Sequence, residues 1–338
     1  MKKIFLFAAA AMVSLSSCVQ TDEVYTGKLN EMGFKSAVTR GIIQSQTDFN
    51  YPIAVSAILD DTDDSTENFK SYFDGAEFVY DEDTKLWKGV PTRYWPSKGD
   101  MQFLAFCPAP KSATLTTNHN AVTGKIDNIT VAGIDNNILD QHDVLYSDLL
   151  KVLAPQPAAQ ALQFYHALAQ ININFVKTDS AANVVLNSVL LEGAYFGGDL
   201  AITPVDGGKS QAEWKNLDNA KNRFFNKDTG NVAGVEDGDL NESISATTAY
   251  SPRPLLVIPM DHQAKMKITY TVDGHQNVSE VDLMVNNITG IPYDPAPKWE
   301  MGYKYTYNFT INVNEIRFNC TVLPWDDPDY NPGGSITI

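Results

Sequence analysis

Between Tyr303 and Val313 every odd position is apolar or aromatic and every even position is polar. Tyr303, Tyr305, Tyr307, Phe309, Ile311 and Val313 alternate with Lys304, Thr306, Asn308, Thr310 and Asn312. A period of two held that long predicts a β-strand with one face buried and one solvated; a helix would scatter these side chains around its axis. Past Asn314-Glu315 the alternation resumes at Ile316, Phe318, Cys320 and Val322, which predicts a hairpin.

The same period recurs along the chain. Ile53 to Ile58 reads as a strand, and Phe78 to Trp87 as a hairpin turning at Asp81-Glu82-Asp83. Arg93-Tyr94-Trp95-Pro96 reads as the end of another strand, since proline cannot donate to a ladder. Met101 to Cys107 is apolar at both parities and predicts a central strand. Thr114 to Asn137 is polar, with a short strand near Ile129 to Val131. Met266, Ile268, Tyr270 and Val272 alternate with polar residues up to Asp273-Gly274, a hairpin turn, and Val281 to Val285 is expected to pair with them. Leu162 to Val176 changes parity midway. A bulge near Ala169, or a short helical turn over Ala158 to Ala167, would account for the slip. Pro155 and Pro157 mark a candidate domain boundary. The pattern gives two clusters of six or seven strands and no long helix.

The N-terminus adds a compartment. Lys2 and Lys3 precede an apolar run from Ile4 to Val13, too short to span a bilayer stably, and Leu15-Ser16-Ser17-Cys18 follows. This is similar to a bacterial lipobox, in which the cysteine thiol accepts the lipid. Residues 1–17 are then a signal peptide and Cys18 the lipidation site. Residues 18–40 read as a polar tether. Arg40-Gly41 closes the tether just before the first strong strand, and an arginine there is accessible to a protease; from the residues alone an uncleaved linker is the plainer reading. Cys107 and Cys320 are the remaining cysteines. An exported protein permits their pairing, but each sits in an apolar strand of a different cluster, so two buried free thiols are expected.

The net charge of −16 argues against nucleic acid as a partner. Candidate chemistry is sparse. The chain has no phosphate loop, nucleophile elbow or C-x-x-C, and its five histidines lack metal-ligand spacing. No metal, cofactor or enzymatic role is expected. Asp60 to Asp64 and Asp237 to Asn241 carry oxygen ligands that would suit calcium, but solvated acidic loops are the plainer reading of both. Trp87, Tyr94, Trp95 and Trp214 are candidates for stacking on a sugar, though a place in the core is the plainer reading for most of them. Asp64-Ser65-Thr66 and Asp179-Ser180-Ala181 fit a short bacterial O-glycosylation pattern.

Several of these pieces occur in order: the lipobox, Thr39-Arg40-Gly41, Tyr94-Trp95-Pro96, Phe103 to Phe106, Gln141 to Tyr146, Phe164 to Leu168, the Trp299/Gly302/Tyr305/Tyr307 strand and Val322 to Trp325. The ordered set resembles the fimbrillin-like proteins of Bacteroidota. That resemblance implies an all-β chain of two transthyretin-like β-sandwich domains in tandem, at 41–157 and 158–338. It implies a fimbrial subunit, structural and adhesive, carried as a lipoprotein to the outer membrane. Its partners would be other fimbrial subunits and a host protein or glycan receptor. In the family's stalk pilins an Arg-directed protease removes the N-terminal segment and a neighbour's strand fills the groove; Arg40 is the matching position. The tail Ser335, Ile336, Thr337 and Ile338 is a candidate donor strand. A surface lipoprotein that binds glycans through a β-sandwich is the competing reading.

Overall fold

The computed structural model describes residues 31–36, 50–60, 69–111, 113–120, 125–135, 142–227, 238–261, 264–283, 285–286, 291–292, 298–312 and 315–324. Every regular element among them is a strand. The protein is all-β, as the alternation predicts.

The first sheet runs in spatial order Gln160–Leu162, Gly33–Ser36, Leu86–Gly89, Phe69–Asp81, Ile53–Asp60, Asp100–Cys107, Leu145–Ser147 and Phe164–His166, with Leu150–Leu153 also on Asp100–Cys107. Its two ends, Leu162 and Phe164, are separated in the chain only by Gln163. The sheet must therefore curl until its ends nearly meet. Ring geometry shows the same closure. Phe34 and Phe103 stand four strand spacings apart, about 19 Å on a flat sheet, yet their centroids are 5.3 Å apart. The two flaps of the sheet thus face each other across one core, in the manner of a β-sandwich.

Ile53–Asp60 and Asp100–Cys107 are buried on both faces. Val55, Leu59, Met101 and Phe103 point into the curl, while Ile58, Leu104 and Phe106 point out of it. Against that outer side lies a four-stranded sheet, Gln211–Lys215, Gly197–Thr203, Lys125–Asp135 and Thr114–Asn120, which contributes Ile129, Val131, Leu200 and Ile202. A third core lies between two further sheets. One is Leu255–Val257, Ala169–Lys177, Tyr303–Ile311 and Ile316–Pro324; the other is Lys221–Phe224, Val184–Ala194, Lys265–Val272 and His275–Asp282, with Glu242–Ser243 on Val184–Ala194. Strand pairing crosses residues 157/158 in three places among the described residues: Gly33–Ser36 with Gln160–Leu162, Leu145–Ser147 with Phe164–His166, and Lys125–Asp135 with Gly197–Thr203.

The predicted C-terminal hairpin is present as Tyr303–Ile311 and Ile316–Pro324, with Phe309 opposite Phe318 and Ile311 opposite Ile316. Tyr305, Tyr307, Phe309 and Ile311 are buried, and the even positions between them are not. On its other side Tyr303–Ile311 pairs in parallel with Ala169–Lys177, where Phe175 stacks on Phe309 at 5.0 Å and 15°. Buried tyrosines need partners for their hydroxyls. Trp299 Nε1 donates to Tyr307 Oη at 2.9 Å, and Tyr305 Oη donates to the Lys298 carbonyl at 2.7 Å while accepting from Glu300 N at 2.8 Å. The Asp273-Gly274 turn is present, with positive φ at both residues (48° and 86°), as a two-residue hairpin requires. Asp81 fastens the other predicted turn: its carboxylate accepts from Asp83 N, Thr84 N and Lys88 Nζ.

Five expectations change. Within the supposed tether, Gly33–Ser36 is a strand, and Met32 and Phe34 are buried; two apolar residues two apart are too few to register as a period. Arg93 to Pro96 makes only an isolated bridge, Glu31 with Tyr94. Thr114 to Asn137 holds two paired strands in place of one short one; only Ile126, Ile129 and Val131 of the second are fully buried, too few to show as a long alternation, while Leu115 and Ile134 pack on the same core half-buried. The parity slip over Leu162 to Val176 is neither bulge nor helical turn. The chain leaves the curled sheet after His166 and enters another at Ala169, so each strand keeps its own parity. The partner of Lys265–Val272 is His275–Asp282, earlier than Val281 to Val285.

Phe309 is fully buried between Phe175 and Phe318. Phe309→Ala is expected to lower stability by about 3–5 kcal/mol, measured by chemical denaturation.

Candidate functional site

The strand Gly33–Ser36 lies between two short neighbours. Phe34 stands opposite Trp87 in an antiparallel ladder on one side, and Phe34, Lys35 and Ser36 pair in parallel with Gln160, Ala161 and Leu162 on the other. Met32 N donates to the Arg93 carbonyl at 2.8 Å. Phe34 is the anchor. Its ring meets Phe78 edge-on at 5.0 Å and Phe103 at 5.3 Å, the arrangement that the ring quadrupoles favour. Burial of Met32 and Phe34 together contributes about 3–6 kcal/mol. The ladder is short, so those two side chains hold the strand more than its hydrogen bonds do. Without it, Leu86–Gly89 and Gln160–Leu162 would each expose an unpaired edge, with an apolar slot between them.

A second open edge belongs to the C-terminal sandwich. Ile316–Pro324 ends its sheet, with Tyr303–Ile311 on one side and no strand on the other among the described residues. Its side chains pass from buried at Ile316 and Phe318 to half-buried at Cys320 and Val322.

The thiols are unpaired, as expected; Cys107 is buried, whereas Cys320, on the edge strand, is only half-buried. Burial, with Asp143 nearby, pushes Cys107 well above the usual thiol range; burial pushes Cys320 up to about 12 against the opposing hydrogen bond with Tyr307. Neither is a thiolate near neutral pH. His166 is buried and pairs through Nδ1 with Asp143, and His142 lies 4.8 Å from the Tyr51 ring. Among the described residues no cluster of three acidic, His or Cys side chains could hold a metal.

Of the aromatics proposed to stack on sugar, Trp87 and Trp95 are core residues. Trp214 packs against the core between the curled sheet and the four-stranded sheet, and donates Nε1 to the Ala167 carbonyl at 2.8 Å. Tyr94 is exposed. Cys18, Arg40, Gly41, the tail Ser335 to Ile338, the loop Asp61 to Asp64, Asp64-Ser65-Thr66 and Asp237 lie outside the described residues. What sequence reading missed is the strand that Arg40 follows. The signal was the pair Met32 and Phe34 around Gly33.

Solved structures share this architecture. A fimbrial protein from Bacteroides vulgatus matches with a TM-score of 0.55 and 16% identity, over 88% of this chain and 99% of its own. A protein described as a cell adhesion candidate from Bacteroides uniformis matches with a TM-score of 0.50 and 16% identity, over 87% and 99%. A third, similarly described, from Bacteroides ovatus gives 0.50 and 14%, over 88% and 98%. At these identities the likeness is one of fold. Comparison with curated proteins gives no match. The family model described as fimbrillin-like matches residues 39–325, most of the length, and the chain belongs to that family.

Proposed function

We propose that this chain is a subunit of a surface fimbrium, with a structural and adhesive role and no enzymatic one. It is exported as a lipoprotein through Cys18, reaches the outer membrane, and joins other fimbrial subunits by strand donation after processing at Arg40-Gly41. Its proposed domains are two sandwich units, 41–157 and 158–338, tied to each other by the strand pairs that cross that division, and a host protein or glycan is its receptor. Family membership supports the fimbrial role.

One observation carries the assembly step. Gly33–Ser36 lies upstream of Arg40 in the chain yet is built into the first core between two other strands. Cleavage at Arg40 would release the covalent hold on that strand. Its exit would leave a slot bounded by ladder groups and by the space that Met32 and Phe34 fill. An extended segment from a neighbour satisfies both needs at once, through backbone hydrogen bonds and alternate apolar side chains. The tail Ser335-Ile336-Thr337-Ile338 has that alternation and is the proposed donor.

Arg40→Ala is expected to leave the subunit folded and to block fibre formation, scored by electron microscopy after treatment with an Arg-specific protease. Fibres that form unchanged would remove the processing step. Deletion of Pro332 to Ile338 is expected to abolish polymerisation while the circular dichroism and melting of the monomer stay the same; normal fibres from the truncated chain would dismiss the tail as donor.

A further inference from the structure

The chain from Val90 to Pro96 lies outside every strand, yet it is fastened to the curled sheet at several points. Val90 N donates to the Glu77 carbonyl at 2.9 Å, and Tyr72 Oη donates to the Tyr94 carbonyl at 2.9 Å. The Arg93 guanidinium lies 5.6 Å from the centroid of the Phe73 ring. The buried Trp95 ring meets Phe103 edge-on at 5.7 Å. Three of these anchors, Tyr72, Phe73 and Glu77, belong to Phe69–Asp81, so the segment is a strap tied down along one strand. Gly89 lets it lie close, because a Cβ there would stand 2.7 Å from Arg93 Cγ and 3.0 Å from Arg93 N.

Between its fastenings the strap holds the start of the N-terminal strand. Met32 N donates to the Arg93 carbonyl at 2.8 Å, and Glu31 forms an antiparallel bridge with Tyr94. The ladder with Leu86–Gly89 includes only Gly33 and Phe34, and the parallel pairing with Gln160–Leu162 begins at Phe34. Glu31 and Met32 therefore depend on the strap for their backbone pairing. The two pieces also lean on the same rings. Phe34 touches Phe103, against which Trp95 rests, and Phe78, which lies beside the Phe73 ring under Arg93.

We propose that Val90–Pro96 is a latch that keeps Glu31–Ser36 in its slot, with the hydrogen bond from Tyr72 to the Tyr94 carbonyl as its closing contact. Met32 and Phe34 seat the strand; the latch sets how often its first residues open. Opening from the Glu31 end must break the latch first. Opening from the Ser36 end reaches it last, so in either direction the strand leaves only when the latch gives way. The latch is a feature of the uncleaved chain, and only its consequence for assembly rests on the strand-donation reading: it would decide how long the segment stays in place after cleavage at Arg40.

The test is hydrogen–deuterium exchange, followed by mass spectrometry, on the full uncleaved chain. Tyr72→Phe removes the closing hydroxyl and keeps the ring. It is expected to speed exchange in peptides covering Glu31 to Ser36 about three- to tenfold, the loss of one hydrogen bond. Exchange in Ile53–Asp60 and Tyr303–Ile311 is expected to stay the same. Gly89→Ala, which crowds Arg93, is expected to have the same local effect. Tyr72 is exposed, so its variant decides the matter if the Gly89 variant does not fold. Wild-type exchange over Glu31 to Ser36 in Tyr72→Phe would overturn the proposal, and so would a rise shared equally by all three segments. Faster local exchange together with a failure of the cleaved chain to form fibres would keep the latch and remove strand donation.

Discussion

Phe34 stands at the centre of a constraint that shapes the N-terminal half. Its ring touches Phe78 on the adjoining part of the sheet and Phe103 on the flap that folds over to meet it. A flat sheet would leave those two contacts far apart and both apolar faces wet. Closing the sheet on itself buries the inner face, but leaves Ile58, Leu104 and Phe106 pointing outward. A second sheet must then cover them. That requirement brings Lys125–Asp135 alongside Gly197–Thr203, and so ties the two halves of the chain together.

The C-terminal core meets its own requirement differently. Its central strand, Tyr303–Ile311, carries tyrosines where a plainer sandwich would carry aliphatic residues. The extra ring area adds burial, and each hydroxyl becomes an obligation. Trp299 and the Lys298 carbonyl discharge it, which fixes the segment ahead of the strand. The phenols of Tyr305 and Tyr307 are pushed above their ordinary range by burial, so they remain neutral donors and acceptors across physiological pH.

How much of this was legible follows from the length of each pattern. Tyr303 to Val322 and Met266 to Val272 were readable because their alternation repeats several times, and the second also ends at Asp273-Gly274, a turn with recognisable chemistry. Met101 to Cys107 was readable as central because no solvated parity exists there. Gly33–Ser36 was not, because a single apolar pair carries no period; it becomes a strand through long-range packing on Phe78 and Phe103. The slip after Leu162 was visible but its cause was not, since parity records which face a residue occupies and says nothing about which sheet owns the face. The fastening of Ser210 N to Asp148 had no signature at all, since it joins distant parts of the chain.

The antiparallel ladder between Lys125–Asp135 and Gly197–Thr203 has a mechanical meaning. A pull that separates the two halves reaches this ladder as well as the chain itself. If the load runs along the strands, the cross-strand bonds are strained together as a group; if it runs across them, they are opened one after another. The register, which shifts between Gly198 and Leu200, interrupts the ladder near one end. Peeling from that end meets the weakest grip first, so the direction of a tensile load decides how firmly the two halves hold.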